Sequence, residues 1–172
     1  MPIKHGAFRR KIRQGDFIMQ AKDIMTKDVV SVTPDTSVED VAKLLVEKKI
    51  AGVPVVAADG SVQGIVSESD LMCHELDPKD PGVFKLFIWG LKDEEKVEEY
   101  RHIIEKKMAA TAGKIMTKPA IAVDAGDDVA DVGQLMLDKR IKRVIVTQYG
   151  KLVGIISRAD FVRMLVEKTV KK

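Results

Sequence analysis

The residues best suited to chemistry are two copies of one short motif, a serine followed three positions later by an aspartate. Gly64–Asp70 reads Gly-Ile-Val-Ser-Glu-Ser-Asp, and Gly154–Asp160 reads Gly-Ile-Ile-Ser-Arg-Ala-Asp. In each copy an apolar run predicts a buried strand that ends at the serine. A capping residue followed by an apolar periodicity then predicts a helix. The motif therefore lies where a strand turns into a helix.

A Ser-x-x-Asp turn supports two interpretations. A serine at the N-cap with an acid three residues later is a capping box, which needs no ligand. The same turn presents backbone N–H groups and the positive end of a helix dipole, which stabilise a phosphate. Its aspartate can also accept hydrogen bonds from both hydroxyls of a ribose. The recurrence of the turn favours a ligand, but the residues alone leave both interpretations open.

The two copies belong to two sequence repeats with the same order of elements. Ile24-Met25-Thr26-Lys27 opens the first repeat, and Ile115-Met116-Thr117-Lys118 opens the second, 91 positions later. Val53–Val56 and Val62–Val66 predict two antiparallel strands joined by a turn at Asp59-Gly60. Because one repeat is too small to bury its own sheet, we expect the two repeats to pack together.

The segment before this hairpin predicts a strand and a helix. The alternation of Val29–Val32 predicts an exposed strand, and Thr36 with Glu39 predicts a capping box at the start of the helix. The apolar face of that helix follows helical spacing and comprises Val38, Val41, Ala42 and Leu45. The matching positions of the second repeat are Val129, Val132, Gly133 and Met136.

The composition is that of an ordinary globular chain. Its 172 residues, 45% of them hydrophobic, are enough for a folded core. The net charge is +3, but residues 1–18 carry five Lys and Arg against one acid, so the folded part is not a basic nucleic-acid surface. We expect residues 1–18 to be a disordered or non-native arm. No apolar run suits a signal peptide or a membrane span, which predicts a cytoplasmic protein.

No set of residues predicts catalysis or a metal site. His5, His74 and His102 are scattered, and no serine, cysteine or lysine has a base at a recognised spacing. There is no Gly-rich phosphate loop of the Walker type. Cys73 is the single cysteine, so no intramolecular disulfide is expected. We therefore expect a protein that is not an enzyme and has no catalytic cofactor.

The region between the repeats resembles neither of them. It contains half of the eight aromatic residues in the chain, and Val83–Leu91 is apolar. Asp93–Met108 predicts an amphipathic helix. Its role is open between an extension packed on its own domain, a dimer contact, and a lid or effector surface. The side chains expected to face inward are Val97, Tyr100, Ile103 and Ile104.

Together these motifs resemble the cystathionine-beta-synthase (CBS) domain pair, also called a Bateman module. The resemblance covers residues 22–76 and 113–168 and rests on Ile24-Met25-Thr26, on Gly52–Val56 and on both Ser-x-x-Asp segments. It implies an α+β fold of two pseudo-symmetric βαββα units packed sheet to sheet, with a helical insert between them. The implied division is an arm (1–18), unit one (19–76), the insert (77–112) and unit two with a C-terminal helix (113–172).

The family implies two clefts between the units, usually for adenine nucleotides, and the pairing of two modules into a disc. In the main cleft the resemblance implies Asp160 on the ribose hydroxyls, Ser157 and Arg158 near the phosphate, and Ile155 against the base. On the opposite wall of this cleft, small residues would leave room for the flat adenine base. Two cations would offset the charge of the phosphate. The wall residues are Thr26, Val30, Ala51, Gly52 and Pro54, and the cations are Lys142 and Arg143.

The second cleft is expected to be weaker or empty. Its adenine wall includes the bulky pair Lys142-Arg143, and Ala51-Gly52 offer no cation to a phosphate. The same two cations also fit a solvated helix end, which leaves their role open. The residues implied for this cleft are Asp70, Ser67, Ile65, Thr117 and Ile121.

Three hypotheses for the function remain open. The leading one is a non-catalytic regulatory homodimer that binds AMP, ADP or ATP between its CBS units and signals to an unknown partner by changing their arrangement. The sequence does not distinguish these nucleotides from S-adenosylmethionine. The alternative is a structural or partner-binding homodimer with vestigial clefts. The third is nucleic-acid binding through residues 1–18, although the leading hypothesis involves neither nucleic acid nor membrane.

Overall fold

The structure is a computed structural model that describes residues 19–73, 88–89 and 96–170. Its helices and strands form two similar sets, one for each repeat. In chain order they are α1 (Ala21–Ile24), α2 (Val38–Lys48), β1 (Gly52–Val56), β2 (Val62–Ser67), α3 (Glu68–Cys73), α4 (Val97–Met108), α5 (Ala112–Ile115), β3 (Ala122–Asp124), α6 (Val129–Asp138), β4 (Arg143–Gln148), β5 (Lys151–Ser157) and α7 (Arg158–Val170).

The described residues form two compact units, which we name by the aspartate that each contains. The Asp160 unit comprises residues 19–27, 122–148 and 153–170. The Asp70 unit comprises the described residues between 28 and 121, together with 149–152. Each unit therefore combines segments of both sequence repeats.

The Asp70 unit is built on the antiparallel pair β1–β2. Gly52 lies opposite Ser67 and Pro54 lies opposite Ile65. The apolar face of α2 packs with these strands in one core, and burial of such apolar surface is the main stabilising contribution to a fold of this size. The buried residues of this core are Val32, Val38, Val41, Leu45, Val53, Val55, Val66, Ala112 and Ile115.

The Asp160 unit is built on a three-stranded sheet in the order β3-β4-β5. Strand β3 runs parallel to β4, with Ala122 opposite Ile145. The predicted face of α6 is buried at Val129, Val132 and Met136. The α+β fold with two similar units is thus confirmed. Both amphipathic helices bury the faces that their periodicity predicted.

The predicted capping box of α2 was wrong by one residue. The N-cap is Ser37, whose Oγ accepts a hydrogen bond of 3.0 Å from the N–H of Asp40. Thr36 instead accepts a bond of 3.1 Å from the N–H of Thr33 in the preceding turn. Thr36 with Glu39 and Ser37 with Asp40 have the same spacing and the same chemistry, so the motif alone does not choose between them.

The predicted strand at Val29–Val32 was also wrong, because only Val32 pairs, in an isolated parallel bridge to Val55. Helix α4 confirms the amphipathic helix of the insert from Val97 onward, although none of its residues is fully buried. The Trp89 ring, on a residue that is 45% exposed, lies 6.2 Å from the Tyr100 ring. The predicted arm and most of Val83–Leu91 lie outside the described residues.

The opening segments of the repeats are exchanged. Thr26 of the first repeat and Ile155 of the second form two backbone hydrogen bonds of 2.9 and 3.0 Å in the Asp160 unit. Thr117 of the second repeat and Ile65 of the first form the same pair, at 2.9 and 3.2 Å, in the Asp70 unit. Each unit therefore takes its opening segment from the other repeat.

Candidate functional site

The turn from β5 to α7 positions Asp160, and this turn is the candidate site. The carboxylate oxygen Oδ2 accepts bonds of 2.7 Å from both the N–H and the hydroxyl of Ser157. The other oxygen, Oδ1, lies 3.1 Å from Nη1 of Arg163, one helical turn further on. The residue Asp160 is only 4% exposed, so a charged group is held at the edge of a core by three donors.

The turn from β2 to α3 repeats this arrangement around Asp70. Its Oδ2 accepts bonds from the N–H of Ser67 at 2.7 Å and from the Ser67 hydroxyl at 2.5 Å. Its Oδ1 accepts a bond of 2.8 Å from the hydroxyl of Thr117. This third donor is a neutral hydroxyl, whereas Asp160 has a guanidinium in the same role.

These bonds show that both aspartates tie down the start of their own helices, as the capping interpretation expects. A carboxylate has about four lone-pair positions, and donors from the described residues occupy three of them in each turn. The two bonds from the serine both use Oδ2, so Oδ1 carries a single donor from the described residues in each case. One position on Oδ1 therefore stays open to a ligand while the capping bonds persist. A ribose that donates from both of its hydroxyls needs a second position, so the third donor then has to move aside.

A glycine and a methionine hold the strand that leads into each turn. A Cβ added to Gly154 would overlap Sδ and Cγ of Met25, and one added to Gly64 would lie 2.6 Å from Sδ and 2.9 Å from Cγ of Met116. Each methionine comes from the exchanged opening segment. The Gly of one repeat and the Met of the other thus form one packing unit, because only a residue without a side chain leaves room for the thioether.

Residues that directly precede the neighbouring strand, β4 in one unit and β1 in the other, also contact each turn. The backbone N–H of Arg158 donates to the carbonyl of Lys142 at 3.2 Å, and its Nε donates to the carbonyl of Ile141 at 3.3 Å. In the Asp70 unit, the N–H of Glu68 donates to the carbonyl of Ala51 at 3.3 Å. The same backbone contact therefore joins two basic residues in one unit and an acid to an alanine in the other.

The predicted site residues are distributed over both units. The Asp160 unit contains Thr26, Lys142, Arg143, Ile155, Ser157, Arg158 and Asp160. The Asp70 unit contains Ile65, Ser67, Asp70, Thr117 and Ile121.

The remaining wall residues predicted for the Asp160 site, Val30, Ala51, Gly52 and Pro54, belong to the Asp70 unit. Gly52 lies directly opposite Ser67, and Pro54 opposite Ile65. Ala51 and Gly52 therefore adjoin the other Ser-x-x-Asp turn, and the part of all four residues in an Asp160 site stays a prediction.

Arg163 was missed by the sequence analysis. Its signal was present, because a cation three residues after an acid on a helix commonly pairs with it. The packing of Met25 on Gly154 and of Met116 on Gly64 was also missed, although all four residues lie in the repeated motifs. In the described part of the chain no group of three or more His, Cys, Asp or Glu is placed to hold a metal ion. None of the described helices is both long and apolar enough to cross a bilayer.

Comparison with known proteins gives a family for both repeats. The model of the CBS domain matches residues 21–76 and 112–167. The uncharacterized protein MJ1426 of Methanocaldococcus jannaschii is 33% identical over 156 residues, which cover 87% of this chain and 92% of that protein. The chloroplastic CBS domain-containing protein CBSX2 of Arabidopsis thaliana is 29% identical over 165 residues, 95% of this chain and 66% of that protein.

Solved structures have the same fold. The crystal structure of CBSX2 in complex with AMP has a TM-score of 0.65 at 29% identity and covers 89% of this chain and 98% of that one. The CBS domain pair of MJ0100, in complex with 5-methylthioadenosine and S-adenosyl-L-methionine, has a TM-score of 0.62 at 23% identity. It covers 88% of this chain and 98% of that chain. This second likeness supports the fold alone.

Proposed function

Because the chain belongs to the CBS domain family and contains two copies of the domain, we propose that it is a regulatory module that binds an adenine nucleotide at the Asp160 turn. The expected ligand is AMP, ADP or ATP, and the protein is expected to be non-catalytic. The AMP complex of the related CBSX2 supports this class of ligand.

The observation that carries the proposal is the buried carboxylate of Asp160 at the start of α7. Among the described residues only Arg163 is placed to donate to its Oδ1, so the ribose hydroxyls can take that oxygen while Ser157 keeps the other. Lys142 and Arg158 adjoin the same turn. Charge-assisted hydrogen bonds to a phosphate are roughly twice as strong as neutral ones, so these cations favour a phosphorylated ligand.

The Asp70 turn is proposed to be the weaker site. Its capping bonds match those of Asp160, but the acid Glu68 and the neutral Ala51 replace the two cations. A phosphate placed there would meet a carboxylate of the same sign. The fold of the two turns therefore predicts two sites, whereas their charges predict unequal affinities.

Binding is proposed to signal by favouring one arrangement of the repeats, which requires that the ligand have different affinities for the arrangements. Homodimer formation, a regulated partner protein and a cytoplasmic location stay predictions. The Arabidopsis relative is described as chloroplastic, so the compartment has to be measured for this chain.

Replacing each aspartate by alanine tests the proposal. We expect Asp160→Ala to weaken AMP or ATP binding about 10- to 100-fold, since a hydrogen bond to a charged group contributes about 1.5–3 kcal/mol. We expect Asp70→Ala to change the same affinity less than threefold. Isothermal titration calorimetry on both variants measures the difference. Their unfolding midpoints serve as controls, because each alanine also removes a helix cap.

Equal losses in the two variants would contradict the assignment to Asp160. An absence of binding by the unchanged protein would contradict the function itself. A thermal-shift experiment checks this independently, since ligand at about 100 times its dissociation constant stabilises a fold by about 2.7 kcal/mol.

A structural homodimer is the second candidate, and exposed apolar side chains on α6 and α7 favour it. Leu137 is 66% exposed, Val162 59% and Val166 56%. A contiguous apolar patch in solvent often marks a protein contact, and Val162 and Val166 lie one helical turn apart on α7. Sedimentation equilibrium of the unchanged protein and of Val162→Glu tests this candidate. If the unchanged protein is a dimer that the substitution dissociates, and if it binds no nucleotide, the protein is a structural homodimer and not a nucleotide sensor.

A further inference from the structure

Arg163 occupies the one oxygen of Asp160 that its capping serine leaves open. Its Nη1 lies 3.1 Å from Oδ1, and its side chain is 62% exposed whereas that of Asp160 is 4% exposed. The guanidinium therefore reaches the buried carboxylate from the solvent side. The pair joins positions i and i+3 of one helix, so it forms without help from any other element.

A ribose that donates from both of its hydroxyls needs two acceptor positions on Asp160, whereas only one is open, so it competes with Arg163 for Oδ1. The bonds from Ser157 to Oδ2 hold the start of α7, and giving them up would uncap the helix. The bond from Arg163 can be given up more easily, because an exposed guanidinium regains water when it leaves. A ligand that takes Oδ1 thus displaces Arg163 rather than Ser157.

The displaced guanidinium stays beside the bound ligand and has lost its carboxylate. A ligand with a phosphate offers it a new anionic partner, and guanidinium–phosphate pairs are among the strongest charge-assisted bonds. An uncharged nucleoside offers none. The cost of breaking the pair is therefore offset only for a phosphorylated ligand.

Within the part of the chain that the structure describes, the Asp70 turn has no such ion pair. Its Oδ1 is held by the neutral hydroxyl of Thr117, and the residue three positions after Asp70 is Cys73. Displacing a hydroxyl leaves no unpaired charge behind, so a ligand there meets no preference of this kind. The difference is specific to the Asp160 turn and does not follow from the shared Ser-x-x-Asp motif.

We infer that Arg163 is a specificity-determining residue of the Asp160 site. Its pair with Asp160 disfavours uncharged nucleosides, whereas its guanidinium favours phosphorylated ones. The inference rests on the proposed function and adds to it the chemical feature that the site selects. Arg163 acts as an intramolecular competitor for the ribose and as a partner for the phosphate. It has no predicted role in the fold beyond its pair with Asp160.

The test compares adenosine with AMP by calorimetric titration in the full chain. In Arg163→Gln we expect adenosine to bind about three- to tenfold more tightly, because the competitor is gone. AMP affinity should stay nearly unchanged, because the lost competition and the lost phosphate contact oppose each other. The ratio of the adenosine dissociation constant to the AMP dissociation constant should therefore fall about three- to tenfold. Arg163→Lys, which keeps the charge, should retain most of the preference for AMP.

Arg101→Gln is the matched control. Arg101 also pairs with an acid three residues away on a helix, at 3.2 Å from Glu98, and its side chain is 61% exposed. This variant should leave both affinities unchanged. An unchanged adenosine-to-AMP ratio in Arg163→Gln, with normal binding by the unchanged protein, would overturn the inference and leave the proposed function standing. Failure of the unchanged protein to bind either ligand would overturn both.

Discussion

The two Ser-x-x-Asp turns share their skeleton and differ in their charges. In both, an aspartate Oδ2 takes two bonds from its serine, at 2.5–2.7 Å. In both, a methionine from the exchanged opening segment lies on the glycine that precedes the serine. What differs is the donor to Oδ1, which is Thr117 in one turn and Arg163 in the other, and the residues that adjoin the turn.

This difference separates what the fold requires from what a ligand would require. The shared bonds lie inside each unit, satisfy partly buried polar groups and fix a helix start. The differing residues are on the solvent side, where substitution usually changes stability by less than about 0.5 kcal/mol. Charges at such positions can differ between the two repeats without changing the fold. Their differences therefore indicate function.

The largest expected effect concerns the shared skeleton. Gly154→Ala should destabilise the protein by about 1–3 kcal/mol, because its Cβ would overlap the thioether of Met25. Adding Met25→Ala should recover part of this loss, with a coupling free energy of about 1–3 kcal/mol in a double-mutant cycle. Denaturant unfolding of the four proteins gives the coupling.

The matching cycle of Gly64→Ala with Met116→Ala should recover less. A Cβ at Gly64 would also lie 3.0 Å from the backbone carbonyl of Thr117, which cannot move aside as a side chain can. Met136→Ala is the control partner for Gly154→Ala, since Met136 is not among the atoms nearest to Gly154. Coupling to Met136 as strong as that to Met25 would show that the packing of Met25 on Gly154 is not a specific contact.

The local elements were predictable because their signals are short in range. Helices α2 and α6 follow from apolar periodicity, and the hairpin of β1 and β2 follows from Asp59-Gly60 between two apolar runs. Strand ends at Ser67 and Ser157 follow from a capping residue after an apolar run. A repeat makes each of these signals stronger, because the same pattern occurs twice.

The exchange of opening segments was not predictable from these short-range signals, and only the family resemblance implied it by placing Thr26 with Asp160 and Thr117 with Asp70. Thr26 and Ile155 are far apart in sequence, and period and propensity say nothing about which strand a segment joins. The choice of Ser37 over Thr36 as a cap was equally hidden, since both offer a hydroxyl with an acid three residues on. Arg163 was visible as a cation on α7, but only the geometry shows that it reaches Oδ1 of Asp160.

The next effect concerns the charges that differ between the turns. Arg158→Glu gives the Asp160 turn the acid found at Glu68 and should weaken ATP binding about tenfold, equivalent to about 1.4 kcal/mol. The backbone bond from Arg158 to the Lys142 carbonyl does not depend on the side chain, so the turn should persist. Calorimetric titration at two salt concentrations measures the change, which should shrink at high salt.

The reverse exchange, Glu68→Arg, should add a second and weaker binding event per chain. Unfolding midpoints within about 2 °C of the unchanged protein show that neither exchange damages the fold. If Arg158→Glu left ATP affinity unchanged and Glu68→Arg added no event, the charges around the turns would not explain any difference between the two sites.

The smallest expected effect concerns the donor to Oδ1. Thr117→Val removes the hydroxyl that lies 2.8 Å from Asp70 and should destabilise the protein by about 1 kcal/mol, the usual net contribution of one hydrogen bond. Thr26→Val, at the equivalent position of the first repeat, should cost less than about 0.5 kcal/mol, because within the described residues Arg163 takes that role at Asp160. Both substitutions keep a β-branched side chain, so their difference in denaturant unfolding isolates the hydroxyl. Equal losses would mean that Thr26 also supports its aspartate, and the two turns would then differ only in the charges around them.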